Sequence, residues 1–125
     1  MKKIIVSSNA PKAVGPYSQA VEANGTLYIS GQLPIDPATG KFAEGGITEQ
    51  TAQCLKNIGA ILAAAGYDYS HVVKSTVLLA DMNDFAAMNE VYAHFYADPC
   101  PARVAYQVAK LPLGAQVEIE TIAVK

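Results

Sequence analysis

The chain has 125 residues, 51% of them hydrophobic and 16% charged, with a net charge of −2 at pH 7. That balance excludes a disordered chain and fits one globular domain over residues 1–125. No apolar run approaches the roughly 18 residues of a membrane span. The slight acidity, with no basic stripe, makes nucleic acid a poor partner.

In chain order, residues 4–6 read as a short edge strand that turns polar at Ser7-Ser8-Asn9. The apolar stretch is too short for the core of a signal peptide, so a cytoplasmic protein is expected. Residues 7–15 are a loop. Residues 17–23 and 26–30 are strand-like and flank Asn24-Gly25. Asn-Gly between two strands signals a hairpin, because both turn residues need positive φ. Residues 31–46, rich in Pro, Gly and Asp, read as a long loop. A helix follows, capped by Thr48, with Ile47, Cys54, Leu55, Ile58, Ile61, Leu62 and Ala65 on one stripe and Gly66 as its stop. Residues 71–80 form a buried strand. Asp81 or Asn83 caps a second helix whose stripe is Phe85, Met88, Tyr92 and Phe95, ended by Asp98-Pro99. Residues 103–108 are a strand, 110–114 a turn and 115–124 the last strand. The order β-β-β-α-β-α-β-β predicts an α/β (α+β) fold with both helices on one face of a mixed sheet.

The thiols and imidazoles offer little chemistry. Cys54 falls on the helix stripe, and Cys100 lies between Pro99 and Pro101 with no histidine beside it. Both are read as free thiols. His71 and His94 lack metal-ligand spacing, so no metal site is expected.

The last strand alternates. Val117, Ile119, Thr121 and Ala123 point toward the helices, and Glu118, Glu120, Ile122 and Val124 point away. A face that is half charged and half aliphatic implies cover by a second subunit, with the carboxylates left at a cleft. On the preceding strand, Val104, Tyr106 and Val108 form the more apolar face and are expected against the helices. Arg103, Ala105 and Gln107 then face away. The short turn between these strands suggests antiparallel neighbours, which would bring Arg103 and Glu118 to one cleft. Arg103 is the single arginine among 9 basic residues, and only arginine presents a planar fork to a carboxylate.

These residues resemble the reactive intermediate deaminase family, also called the YjgF family. The resemblance rests on Pro101-Ala102-Arg103, Tyr106, Lys110-Leu111 and Val117-Glu118-Ile119. It extends to Gly15-Pro16-Tyr17-Ser18-Gln19-Ala20, Ser30-Gly31-Gln32 and Met88-Asn89-Glu90-Val91-Tyr92. It implies a chorismate mutase-like fold and a homotrimer whose sheets line a central barrel, with ligand sites in clefts between subunits. The implied activity is hydrolysis of 2-imino acids and their enamine tautomers, such as 2-iminobutanoate and 2-iminopropanoate, to 2-oxo acids and ammonia. Such an activity protects pyridoxal-phosphate enzymes, and it uses no cofactor. Arg103 corresponds to the family's carboxylate-binding arginine and Glu118 to its water-positioning glutamate. Tyr17 corresponds to its site tyrosine, Ser30 and Gly31 to its serine-glycine pair, and Asn89 to a helix asparagine at the site. Where certain members carry a cysteine two residues after the arginine, this chain has Ala105, so no thiol there takes part.

The residue chemistry is consistent with that activity. A guanidinium binds the substrate carboxylate bidentately, and an ionised Glu118 can orient and deprotonate water. Tyr17 is a neutral hydrogen-bond donor at ordinary pH. Glu120 would raise the Glu118 pKa and Arg103 would lower it, and spacing does not decide between them. Apart from the resemblance, Glu118 and Glu120 also fit solvated strand charges, Tyr17 a core aromatic and Asn89 a surface residue. Two other functions fit the same residues less well: a non-catalytic module that binds small 2-oxo acids, and an RNA-cleaving translation inhibitor.

Overall fold

Asn24 and Gly25 have φ of 52° and 76°, the paired left-handed conformation of a two-residue hairpin turn. They join β2 (Ala20–Ala23) to β3 (Thr26–Gln32) in the computed structural model, which describes residues 1–125. β1 (Lys3–Ile5) adds antiparallel to β2 as an edge strand. Tyr17, expected in the second strand, lies before it.

Residues 31–46 are not one loop. β3 runs to Gln32, and β4 (Ile35–Asp36) pairs with β5 (Lys41–Phe42) in a small separate hairpin. Strands this short carry no readable period, so composition alone conceals them. The buried Asn57 amide fastens the segment to the first helix, donating to the carbonyls of Leu33 (3.2 Å) and Ile35 (2.9 Å).

α1 spans Ile47–Ala64 and is capped at Gly46 rather than at Thr48. The Glu49 carboxylate reaches back to accept from the Gly46 N–H at 2.9 Å. It satisfies a donor that the start of a helix leaves unpaired. Cys54, Leu55, Ile58, Ile61 and Leu62 are fully buried, and each large side chain among them contributes roughly 1.5–3 kcal/mol. After β6 (Val72–Leu79), Asp81 accepts from Asn83 N–H and caps a short 3-10 turn that leads into α2 (Phe85–Tyr92). α2 is shorter than the stripe predicts. Its end tightens into three-residue turns, His94 N–H to Val91 O and Phe95 N–H to Tyr92 O, and Tyr96 is buried beside Tyr92 and Tyr69. No helix is long and apolar enough to cross a membrane.

β7 (Ala102–Gln107) and β8 (Val117–Val124) complete a six-stranded mixed sheet ordered β1-β2-β3-β8-β6-β7. Both helices lie on one face, as the element order predicts. β7 and β8, however, are not neighbours. β7 pairs parallel to β6 at the sheet edge, and β8 lies between β3 and β6. The connection over residues 108–116 straddles the end of β6, with Val108 N–H bonded to Leu79 O and Ala80 N–H to Gln116 O. A stretch of that length easily spans the roughly 10 Å between alternate strands.

The facing of β8 is as expected, with Val117, Ile119, Thr121 and Ala123 buried under the helices. The facing of β7 is inverted. Arg103 pairs with Ser75, which pairs with the buried Thr121, so Arg103 is on the helix face. Val104 and Tyr106 point outward and are exposed. The more apolar side of β7 therefore belongs to an open surface that also carries Tyr28 and Val124. Apolarity marks a face that excludes water, and it does not say whether a helix or another molecule does the excluding.

Candidate active site

The sheet is irregular at one place along β3. Ile29 pairs with Thr121, but Gln32 pairs with Ile119, so β3 holds an extra residue at Ser30-Gly31. Such a bulge re-aims backbone and side chains. Ser30 Oγ donates to Ser18 O at 2.6 Å and its N–H to Gln19 O at 3.0 Å, which fixes the bulge against the preceding loop. Gly31 is then placed so that the Glu118 carboxylate rests against its α-carbon, where any side chain would collide with it. The Glu118 carboxyl is half-buried. Burial, and secondarily the neighbouring Glu120, push its pKa above the usual glutamate value. The opposing influences left open by the sequence resolve upward, because Arg103 lies across the sheet and burial and Glu120 act unopposed.

Tyr17 is 51% exposed, on the loop before β2, and its hydroxyl accepts from Val14 N–H at 3.5 Å. The loop is held by a side chain to which the sequence reading gave no role. Gln19, 5% exposed, donates from its amide nitrogen to the carbonyls of Ser7 (3.1 Å) and Pro11 (2.7 Å) and accepts from Ser7 N–H (2.7 Å). Gln19→Leu strands these backbone groups in the interior. It is expected to destabilise the fold by about 2–4 kcal/mol, read as a fall in the urea midpoint at unchanged m-value.

Beside Tyr17 and Gly31 lies a cavity of about 360 Å³, also walled by Val14, Leu33, Pro37 and Leu113. Tyr17, Ser30, Gly31 and Glu118 thus cluster around the bulge.

Arg103 and Asn89 form a second cluster, apart from the first. Arg103 Nη1 donates to Asn89 Oδ1 at 2.7 Å. The guanidinium lies over Tyr92 at 4.7 Å and near Phe85 at 5.6 Å, within cation–π range. Phe85, Asn89 and Tyr92 are spaced by four and three residues on α2, so one helix face supplies all three supports. That spacing is readable in the sequence, where Phe85 and Tyr92 read as core stripe and Asn89 entered only through the family resemblance. Burial pushes the Tyr92 phenol up, so a neutral ring carries the cation. Arg103 has no carboxylate partner: no Lys or Arg side chain lies within 4.0 Å of an acid, and the single basic–acidic side-chain contact, His71–Asp68, is elsewhere.

Within one chain the two clusters do not meet. Glu118 pairs with Leu78 and Tyr106 faces outward at the same level, whereas Arg103 pairs with Ser75 on the helix face. Arg103 and Glu118 are therefore on opposite faces of the sheet, with β6 between their strands. The expectation that they share a cleft as strand neighbours is corrected. No three His, Cys, Asp or Glu side chains converge as metal ligands. Cys54 is buried and Cys100 exposed, both free.

Comparison with known proteins shows one family across the chain. The family described as Endoribonuclease L-PSP matches residues 7–125. The Mus musculus protein named 2-iminobutanoate/2-iminopropanoate deaminase is 55% identical over 125 residues, covering 100% of this chain and 93% of its own. The Homo sapiens protein of the same name is 51% identical, covering 100% and 91%. Among solved structures, RidA from Psychrobacter sp. superposes with a TM-score of 0.95 at 49% identity, covering 98% of this chain and 99% of its own. E. coli TdcF with bound serine superposes with a TM-score of 0.92 at 42% identity, covering 98% of each chain.

Proposed function

The chain belongs to the Endoribonuclease L-PSP family, and from that premise we propose that it is a deaminase of 2-imino acids such as 2-iminobutanoate and 2-iminopropanoate. The observation that carries the reading is the state of Arg103. It is a half-buried guanidinium, held in place by an amide and two aromatic rings and not neutralised by any acid. That is a docking post for a small carboxylate. The relatives named as deaminases at 51–55% identity along the whole chain support the same reaction, and the serine bound to TdcF is a small carboxylate of the size such a docking post would take.

Arg103 binds the substrate carboxylate, with the Asn89 amide N–H₂ available as a further donor. Glu118 orients a water and takes its proton as the oxygen adds to the imine carbon. Glu118 returns that proton to the nitrogen, giving a neutral carbinolamine; it then takes the hydroxyl proton and passes it to the amine, the C–N bond breaks as the carbonyl forms, and ammonia leaves a 2-oxo acid. Tyr17 donates a hydrogen bond, and Ser30 and the Gly31 backbone hold substrate or water. No cofactor is needed for this hydrolysis. Because the imine reacts with water unaided, positioning and one carboxylate suffice.

The two clusters lie on opposite faces, so the complete site takes Arg103 and Asn89 from one copy and Glu118, Gly31, Ser30 and Tyr17 from another. The exposed apolar outer face, with Tyr28, Val104, Tyr106 and Val124, is the surface for that contact, and the assembly is a homotrimer. A net charge of −2 disfavours the RNA cleavage that the family's description names.

The test is a coupled assay. An amino-acid oxidase generates the imine, and ammonia release is timed with and without the protein, with light scattering giving the assembly. The reading expects faster release and a mass three times the monomer. Equal rates would defeat it.

A further inference from the structure

We infer that Leu113 is a specificity-determining residue, an apolar wall that selects imino acids with longer aliphatic side chains; the inference rests on the deaminase reading. Leu113 is in the connection between β7 and β8, in the 3-10 turn Pro112–Gly114. Its φ and ψ are 58° and 17°, a left-handed conformation that is unfavourable for a bulky residue and that glycine or asparagine adopts more readily. Its side chain is 79% exposed. Leucine is thus in a conformation that does not suit it, in a place where folding gains little from its apolarity. Such backbone conformations cluster at ligand-binding sites.

Its position supplies the ligand. Leu113 lines the cavity of about 360 Å³ together with Val14, Tyr17, Leu33 and Gly31. Val14, across the cavity on the N-terminal loop, is 89% exposed, so two loops each present an aliphatic side chain to the same space. Gly31 belongs to that wall, and the Glu118 carboxylate rests against Gly31. Through Gly31 the cavity adjoins the Glu118 carboxylate, to which the deaminase reading gives the activation of water. Its volume falls in the range of pockets for ligands much larger than 2-iminopropanoate, roughly 300–1,000 Å³. A methyl side chain leaves most of that volume empty, whereas a longer aliphatic side chain has apolar surface to set against Leu113 and Val14.

The experiment compares kcat/KM for the leucine-derived and alanine-derived imines in the wild type, Leu113→Asn and Leu113→Gly. Both replacements accept the positive φ, so thermal melts of both variants are expected at or above the wild-type midpoint. Removing the apolar wall is expected to lower kcat/KM for the leucine-derived imine about ten-fold, the scale of a side-chain contact in a hydrophobic pocket. For the alanine-derived imine the loss is expected to stay below about three-fold. A leucine-to-alanine ratio unchanged in both variants overturns the inference and leaves the deaminase reading standing. A wild type that accelerates neither imine removes the deaminase reading, and the inference with it.

Discussion

Arg103→Lys is expected to lower kcat/KM for 2-iminobutanoate by about 10²- to 10³-fold. Lysine keeps the charge but loses the fork that grips both carboxylate oxygens. Each charge-assisted hydrogen bond contributes roughly 1.5–3 kcal/mol, so losing one bond and misaligning the other accounts for that range. The loss should fall on binding: calorimetry with 2-oxobutanoate, the product, should show affinity reduced by a similar factor. Stability should change little. Arg103 is half-buried, and its Asn89 partner is exposed; stacking on Tyr92 at 4.7 Å contributes on the order of 0.5–1 kcal/mol at such a site. An unchanged product affinity in Arg103→Lys would sink the assignment of this side chain as the carboxylate anchor.

Glu118→Gln should separate catalysis from binding in the opposite sense. Product affinity is expected to hold within a few-fold while kcat drops by about 10²- to 10³-fold, within the span of general-base contributions. The pH profile offers a second reading. Glu118 must be ionised to take a proton from water, and burial followed by Glu120 raises its pKa. The wild-type kcat should therefore fall on the acid side at a pH above the usual glutamate range. Glu120→Gln, by removing a like charge, should move that limb to lower pH. Stability follows with its own sign. A carboxyl whose folded pKa is raised favours the fold while protonated, and that contribution is lost as pH rises through the folded pKa. At neutral pH Glu118→Gln should accordingly melt at or above the wild-type temperature, and the difference should vanish in acid below the unfolded pKa. A variant that keeps full turnover removes Glu118 from the mechanism.

The two residues differ in how they are held, and the difference fits the roles proposed for them. Arg103 is supported by side chains of a helix, with only one of its donors taken up, by Asn89. Glu118 is packed against backbone at a bulge, where Gly31 is required for the carboxylate to come so close. The first arrangement keeps a cation accessible. The second keeps an acid partly desolvated, which raises its affinity for a proton.

Local chemistry was legible in the sequence because it depends only on neighbours along the chain. Asn24-Gly25 dictated a hairpin through its positive φ values, the α1 stripe through its spacing, and the alternation of β8 through its period of two. The family segments likewise singled out Arg103 and Glu118 as candidates. The tertiary structure alone decided the strand order. A turn between β7 and β8 is long enough either to pair them or to straddle β6, and nothing local distinguishes the two. It alone decided which side of β7 meets the helices, because Val104 and Tyr106 are as apolar as a core face while Arg103 finds its place on the rings of Phe85 and Tyr92. Both outcomes depend on contacts between residues distant in sequence, where side-chain packing and hydrogen-bond geometry outweigh the pattern of any single strand.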